Sequence, residues 1–224
     1  MAYHRAHGRD PLIDSSVQET LERRGVELLG IAMMIIGVLA ALIIYSYSPA
    51  DPGLFFASDA PVQNLLGITG ATIASPVFLI LGWGSWSLVA LFLVWGARLT
   101  LHKGSERATS RAIFAPVGVA LVAIYAATLV PDATWTHSFG LGGLFGDTVV
   151  GFLLTAVPIN AKIAIVLLSV LSAILMMIVG AFVLGFDKEE LRSIARFLYV
   201  SLVMTYAHIM TLAGRETERA VAKV

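Results

Sequence analysis

Long runs of apolar residues, separated by short polar segments, dominate the pattern of this chain. Four runs contain no Asp, Glu, Lys or Arg and are long enough to cross a bilayer as helices, namely residues 28–47, 77–97, 112–130 and 163–186. A charge at the bilayer centre costs at least about 2.5 kcal/mol on insertion scales, so its absence favours spans over a buried soluble core. Because lipid offers no partners for backbone polar groups, the spans should be helical. The pattern predicts an all-α integral membrane protein with four transmembrane helices arranged as two hairpins.

Three further apolar stretches lie outside these spans. Residues 64–74 and 145–157 are too short to cross and are predicted to form short interfacial or re-entrant helices in the two loops. Residues 197–213 are uncharged apart from a possible proton on His208, and a fifth span is the alternative here. We favour a C-terminal juxtamembrane amphipathic helix, because residues 187–196 supply an acidic start and basic first turns.

Lysine and arginine positions predict the orientation. Fourteen of the 15 basic residues lie before the first span, between the second and third, or after the fourth. The two opposite loops instead carry Asp51, Asp59, Asp132 and Asp147. Since basic loops are retained on the cytoplasmic side, both termini are expected in the cytoplasm.

Composition removes several kinds of chemistry. The chain is 58% hydrophobic and 13% charged, against about 25% charged in an average soluble domain. It has no cysteine, which excludes disulfides and Cys-based metal sites. The five histidines lack the spacing and acidic neighbours of a metal site, and neither a phosphate-binding Gly-Lys-Ser/Thr loop nor a Gly-x-Ser-x-Gly motif occurs. We therefore expect no catalytic, cofactor-binding or metal site in this chain.

The two loops share a sequence pattern. Gly67-x-x-Gly70-Ala-Thr in the first matches Gly143-x-x-Gly146-Asp-Thr in the second, which indicates a weak internal duplication of a span–loop–span hairpin. Turn residues also cluster where the first span ends, in SPADPG at residues 48–53. The candidate interaction turns are Ser48, Asp51, Pro52, Gly53, Asn64, Gly67, Gly70, Gly143, Gly146 and Asp147.

The same turns resemble those of a known family. An aromatic-Ser-x-x-Asp-Pro turn at residues 47–52, then Asn64, GITGA at residues 67–71 and GGLFGD at residues 142–147, make residues 28–186 similar to the N-terminal four-span domain of FtsK/SpoIIIE-type DNA translocases of bacterial cell division. The chain departs from the family at residues 74–76, where it has Ala-Ser-Pro and the family often has an alanine followed by an aspartate.

The resemblance implies a multi-pass anchor in the bacterial inner membrane at the division septum, with periplasmic loops. Its partners would be the lipid bilayer, other septal membrane proteins and further copies of itself in a homo-oligomer. In the family, a linker joins this domain to a hexameric motor that uses ATP and Mg²⁺ to pump DNA. Neither linker nor motor is present in this sequence, so DNA would be reached only through the absent motor.

Three segments follow from these assignments. Residues 1–27 are expected to form a cytoplasmic N-terminal segment, residues 28–186 the membrane domain, and residues 187–224 a cytoplasmic juxtamembrane helix and the start of the linker. Two other classes of protein stay as alternatives. A small membrane transporter or channel subunit would need polar groups along a path, and an intramembrane enzyme would need convergent Ser, His or acidic side chains at membrane depth. The four apolar runs favour neither.

Overall fold

The structure is a computed structural model that describes the backbone of residues 15–103 and 108–221. Residues 1–14 of the expected N-terminal segment, residues 104–107 of the basic junction and residues 222–224 lie outside the described residues. Within the described ranges the chain is helical, without strands, as the apolar pattern predicts. The helices are α1 (Ser15–Tyr45), α2 (Gly67–Leu81), a 3₁₀ turn (Gly82–Ser85), α3 (Trp86–Thr100), α4 (Ala108–Ala127), α5 (Gly143–Ala156), α6 (Ala161–Leu184) and α7 (Lys188–Val221).

Four helical stretches of the described residues are long and apolar enough to cross a membrane, so the prediction of four transmembrane helices is confirmed. They are Thr20–Tyr45, Gly67–Thr100, Ala108–Ala127 and Ala161–Leu184. The shorter apolar helix α5 agrees closely with the short helix expected at residues 145–157.

The break before the second span differs from the sequence prediction. We expected a short helix at residues 64–74 and a span starting at residue 77, with Pro76 between them. Instead α2 continues through Pro76 to Leu81, and the interruption falls at Gly82, where φ is +54°. Proline removes one backbone donor and can be kept within a helix of a membrane domain, whereas a positive φ cannot continue an α-helix. The helix therefore breaks about two turns later than predicted.

Helix α2 lies across one end of the bundle. Asn64, just before α2, donates through Nδ2 to the carbonyl of Ile43 in the last turn of α1, at 2.9 Å. Phe78, near the other end of α2, packs on Tyr47 with ring centroids 4.6 Å apart. Contacts near both ends of α2 thus reach the last turn of α1 and the residues that follow it. The 3₁₀ turn and α3 continue the second apolar stretch from α2 to Thr100.

Small residues allow close helix packing in the first hairpin. A Cβ atom on Gly30 of α1 would lie 2.5 Å from Oγ1 of Thr100 and 2.6 Å from the carbonyl oxygen of Gly96, both on α3. One on Gly37 would lie 2.8 Å from Leu93. Since residue numbers rise along α1 as they fall along α3, the two helices are antiparallel and nearly in backbone contact.

The second hairpin pairs α4 with α6. Phe114 and Phe182 meet edge to face, with centroids 5.6 Å apart. The two hairpins are also tied together by Trp95 of α3, whose Nε1–H donates to the carbonyl of Val183 at 2.8 Å. These contacts lie within a compact unit that ends at Leu184.

Helix α7 belongs to a second unit, from Gly185 onward. Asp187 precedes it, and the backbone N–H of Leu191 donates to the Asp187 carbonyl at 2.9 Å. The carboxylate of Glu190 accepts from the backbone N–H of Asp187 at 3.3 Å, which is half of a capping box. The acidic start predicted from the sequence thus begins the helix. The apolar side chains of Phe197, Leu202 and Met204 are exposed within this unit.

Candidate interaction site at the loop end

Both long loops and helices α2 and α5 meet at one end of the four-helix unit, which we call the loop end. Aromatic contacts join the two loops there: Trp135 of the second loop lies 6.0 Å from Phe78 of α2, and Phe139 lies 6.2 Å from it, between ring centroids. The loop end holds all ten candidate interaction residues named from the sequence. Most of them hold the local structure together.

Asp51 is a buried carboxylate that fixes the first loop. The backbone N–H groups of Gln63 and Asn64 donate to its Oδ1 and Oδ2 at 2.8 and 2.9 Å. The residue is 5% exposed. A buried carboxylate needs such donors, and the two bonds join residue 51 to residues 63 and 64, just before α2. Asp51 is therefore an internal brace of the loop.

Asn64 closes the end of α1. Its Nδ2 donates to the carbonyls of Ile43 and Ser46 at 2.9 and 3.4 Å, and its Oδ1 accepts from the backbone N–H of Leu66 at 3.1 Å. The last carbonyls of a helix have no partner within it, so an amide donor here satisfies groups that lipid could not. Asn64 thus joins α1, the first loop and α2.

The SPADPG turn packs against α2. Ser48 accepts through Oγ from the backbone N–H of Ala50 at 3.3 Å, and its carbonyl accepts from Asp51 at 3.2 Å. Pro52 is half-buried. A Cβ atom on Gly53 would lie 2.7 Å from the side chain of Ser75 on α2. The turn that the sequence marks as a candidate contact is therefore partly covered by its own helix.

Gly67 and Gly143 begin α2 and α5 in the same conformation. Their φ angles are +63° and +66°, in the left-handed region that glycine adopts without strain. The hydrogen bonds also correspond: Gly67 donates to the carbonyl of residue 64 at 2.9 Å, and Gly143 to that of residue 140 at 3.1 Å. Gly70 and Gly146 each donate to the carbonyl four residues earlier, at 3.4 and 3.1 Å. The repeated Gly-x-x-Gly pattern corresponds to one local structure used twice.

The second copy of this pattern also joins the two hairpins. A Cβ atom on Gly143 would lie 2.5 Å from both the backbone nitrogen of Gly82 and the carbonyl oxygen of Ile80. The N–H of Trp83 donates to the carbonyl of Leu141 at 2.8 Å. Further tight contacts are made by Gly84, Gly142 and Gly146, which pack on Ala123 of α4. We call Gly82, Gly84, Gly142, Gly143 and Gly146 the glycine junction.

Asp147 of the second loop, like Asp51 of the first, accepts a hydrogen bond from a backbone N–H of its own loop. Its Oδ2 accepts from the backbone N–H of Gly140 at 2.6 Å, and its side chain is half-buried. This bond closes the loop onto α5 just after its first turn. As a carboxylate near a helix N-terminus, Asp147 is also favoured by the helix dipole.

An aromatic cluster that the sequence reasoning missed lies between the loops. His137 is stacked on Phe139 with centroids 5.2 Å apart, and it lies 4.5 Å from Trp135 and 5.4 Å from Phe78. Burial lowers the pKa of His137 below its ordinary value. The sequence carries these rings as Trp-x-His-x-Phe, with a ring at every second residue.

Asp132 is held in its own turn of the second loop. Its Oδ1 accepts from the hydroxyl of Thr134 at 2.7 Å and from the Thr134 backbone N–H at 3.0 Å. These bonds, led by the hydroxyl, lower the pKa of the exposed Asp132 carboxyl. The turn orders the segment that leads to the aromatic cluster.

The exposed surface of the first loop is formed by residues that the sequence reasoning did not select. Leu54, Phe55 and Phe56 are 65%, 56% and 49% exposed. They follow directly on the Asp51–Gly53 turn, and the carbonyl of Phe56 accepts from the N–H of Gly53 at 2.9 Å. We call residues 54–56 the apolar tip. Three consecutive large apolar residues in a braced loop are typical of a contact surface.

Comparison with known proteins identifies the relatives of this chain. The model of the 4TM region of DNA translocase FtsK/SpoIIIE matches residues 22–214. A DNA translocase FtsK of Brucella suis is 33% identical over 171 residues, covering 70% of this chain and 20% of that protein. One from Azospirillum brasilense is 30% identical over 140 residues, covering 62% and 22%. The chain spans about a fifth of the length of these curated relatives. No solved structure matches the chain.

Proposed function

The chain belongs to the family of the 4TM region of DNA translocase FtsK/SpoIIIE, and from this premise we propose that it anchors a DNA translocase in the bacterial inner membrane and directs it to the division septum. The observation that carries the proposal is the family match across most of the chain, together with four apolar helices in the described residues. The chain corresponds to the transmembrane region of the family and not to its motor. On this proposal the full-length protein is an ATP-dependent DNA translocase whose motor binds ATP and Mg²⁺.

The loop end supports a role in contacts with other septal membrane proteins or with further copies of this chain. Asp51 and Asn64 are buried and fully engaged, and the glycine junction is packed against backbone. Asp51, through its bonds to residues 63 and 64, ties together the two ends of the segment that carries the apolar tip. The candidate turns therefore act as the frame, and the exposed side chains of residues 54–56 offer the contact surface.

Septal recruitment tests this function. Substitutions at Asp51 or Gly143 would disturb the fold, so they cannot separate recognition from stability. Replacing Leu54, Phe55 and Phe56 by serine should instead abolish septal recruitment of a fluorescent fusion of the full-length protein while its amount in the membrane stays unchanged. Serine at Leu129 and Val130, which are 43% and 89% exposed in the second loop, is the matched control and should still localise. Normal localisation of the 54–56 variant would contradict recognition through the tip.

The orientation is part of the same proposal. Fourteen of the 15 basic residues lie outside the two loops of the loop end, which favours a periplasmic loop end and cytoplasmic termini. Reporter fusions after Asp59 and Asp132 should give a periplasmic signal, and fusions after Lys103 and Arg192 a cytoplasmic one. Swapped signals at Asp59 and Lys103 would overturn the orientation. A periplasmic signal from a fusion at residue 224 would show that residues 197–213 form a fifth span.

A further inference from the structure

Part of the first loop is a short segment whose two ends are tied together. Asp51 accepts from the backbone N–H groups of Gln63 and Asn64 at 2.8 and 2.9 Å, so residues 52–62 leave and return at one place. We call residues 52–62 the closed loop. Surface loops of this length with joined ends often carry function.

The closed loop exposes apolar side chains at its turn. The N–H of Gly53 donates to the carbonyl of Phe56 at 2.9 Å, so Leu54 and Phe55 lie at the turn between them. All three residues of the apolar tip are exposed, and so is Val62 near the end of the closed loop. Exposed aromatic and aliphatic side chains that are grouped in this way mark sites where another molecule binds.

One exposed carboxylate accompanies the apolar tip. Asp59 follows Phe56 by three residues, which span at most about 11 Å between the two Cα atoms. The residue is exposed, and no hydrogen bond or ion pair to its carboxylate occurs within the described residues 15–103 and 108–221. Asp51, the other acid of the first loop, is buried and bonded. Asp59 is therefore the charge that the first loop offers to a partner.

The charge of the two loops limits what that partner is. Residues 46–66 and 128–160 contain four aspartates and no Lys or Arg, and Lys162 lies just beyond them in the first turn of α6. A tip-to-tip contact between two copies would bring only like charges together, which disfavours self-association through this loop. A bilayer surface attracts basic side chains rather than acidic ones, so lipid headgroups do not suit Asp59. A basic protein surface suits both the apolar tip and the carboxylate.

We propose that the closed loop binds another membrane protein, at a surface where Lys or Arg lies beside an apolar pocket. The apolar tip enters the pocket, and Asp59 pairs with the base at its rim. This inference rests on the proposed septal function and names the kind of partner that the loop end takes. The apolar side chains supply the buried area, and the charge pair selects the partner and sets the register of the contact. Because the ends of the closed loop are already tied, less ordering is needed on binding.

Photo-crosslinking in dividing cells tests the proposal with the full-length protein. The probe is p-benzoylphenylalanine in place of Phe55, which keeps an aromatic ring at the tip, and the crosslinked peptide is sequenced by mass spectrometry. The peptide should come from another membrane protein and contain Lys or Arg. Asp59→Lys should lower the crosslink yield by about tenfold, because an attraction becomes a repulsion, whereas Asp59→Glu should keep the yield.

Two further changes separate this charge pair from general effects. Ala133→Lys with Thr136→Lys, at exposed positions of the second loop, raises the charge of the loop end by the same two units and should leave the yield unchanged. A reporter fusion after Lys103 should stay cytoplasmic in this control and in Asp59→Lys, which shows that the added bases have not altered the orientation. Replacing the base of the crosslinked peptide by Glu should restore the yield in Asp59→Lys, since the pair is then reversed.

The outcomes distinguish this proposal from the septal function on which it rests. If the serine variant of residues 54–56 loses septal localisation while Asp59→Lys keeps both localisation and crosslinking, the septal role stands and the charge recognition is wrong. An equal loss in the second-loop control would reduce the recognition to the overall charge of the loop end. Crosslinks only to a second copy or to lipid, or no rescue by the reversed pair, would also overturn the proposal. Normal localisation of the serine variant would contradict the contact through the tip and this inference with it.

Discussion

The two hairpins begin their loop helices with the same glycine pattern and then use it differently. Gly67 and Gly143 share the same positive φ, yet no atom beyond its neighbours lies within 4 Å of a Cβ placed on Gly67, whereas one on Gly143 would meet the backbone of Gly82 and Ile80. The first glycine only begins a helix. The second also provides the contact between hairpins.

The aspartates of the two loops differ in the opposite direction: the one in the first loop is the more buried and accepts more hydrogen bonds. Asp51 of the first hairpin is buried and accepts from two backbone N–H groups, while Asp147 of the second is half-buried and accepts from one. The first loop is therefore held chiefly by polar bonds. The second is held by the glycine junction and by the rings around His137. Two hairpins that share the Gly-x-x-Gly pattern are thus stabilised by two different means.

The largest expected effect separates the two helix-starting glycines. Gly143→Ala should destabilise the purified chain by at least about 3 kcal/mol, because a left-handed alanine costs about 1–2 kcal/mol and its Cβ would also displace packed backbone. Gly67→Ala should lower the free energy of unfolding only by the cost of a left-handed alanine, about 1–2 kcal/mol. Thermal unfolding in detergent, followed by circular dichroism, measures both.

A glycine with space around it serves as the control for this pair. Gly151 lies on α5 with φ in the ordinary helical range and nothing near its Cβ position. Gly151→Ala should be neutral or stabilising by up to about 1 kcal/mol through helix propensity. Equal losses for Gly67→Ala and Gly143→Ala would show that the junction contributes no packing of its own.

The next effect compares the two aspartate braces. Asp51→Ala leaves the N–H groups of Gln63 and Asn64 without acceptors and should cost about 2–4 kcal/mol. Asp147→Ala removes one bond at a half-buried site and should cost about 1 kcal/mol. Chemical or thermal unfolding of the two variants measures these losses of stability. Asp59→Ala, at an exposed aspartate, is the control.

The isosteric change Asp51→Asn sharpens that comparison. An amide directs an NH₂ group at one of the two backbone donors, so most of the loss should persist although the volume is kept. Full stability of Asp51→Asn would mean that shape, and not acceptance of two hydrogen bonds, is what the first loop requires.

The sequence was sufficient to predict the elements that depend on local pattern. Uncharged apolar runs gave the four spans, and the Gly-x-x-Gly repeat marked two helix starts that share one conformation. Pro76 was misleading because a missing N–H is a local cost that a helix can absorb, while the true break at Gly82 depends on its contact with Leu141 and Gly143, far along the chain. The burial of Asp51 likewise follows from its bonds to residues 63 and 64. Non-local contacts of this kind leave no periodic signal.

The smallest expected effect is a pH response centred on His137 of the second loop. Burial lowers the pKa of His137 in the folded chain below its unfolded value of about 6.5. Its neutral form therefore contributes stability that is complete above that pH and is progressively lost as the pH falls below it. The first loop, residues 46–66, carries no histidine. Between pH 7.5 and 5.5, acidification should loosen the second loop around His137, whereas residues 63 and 64, which are bonded to Asp51, should keep their protection.

Hydrogen exchange followed by mass spectrometry can localise this response. Amides of residues 135–142, where Trp135 Nε1 donates to the Phe139 carbonyl at 2.6 Å, should exchange faster at pH 5.5 after correction for the intrinsic pH dependence of exchange. Those of Gln63 and Asn64, held by Asp51, should keep their protection. His137→Phe retains a ring in the cluster but cannot take up a proton, so it should abolish the difference. An acid response that persists in His137→Phe, or that appears equally in residues 63–66, would mean that the two loops do not differ in the way their packing indicates.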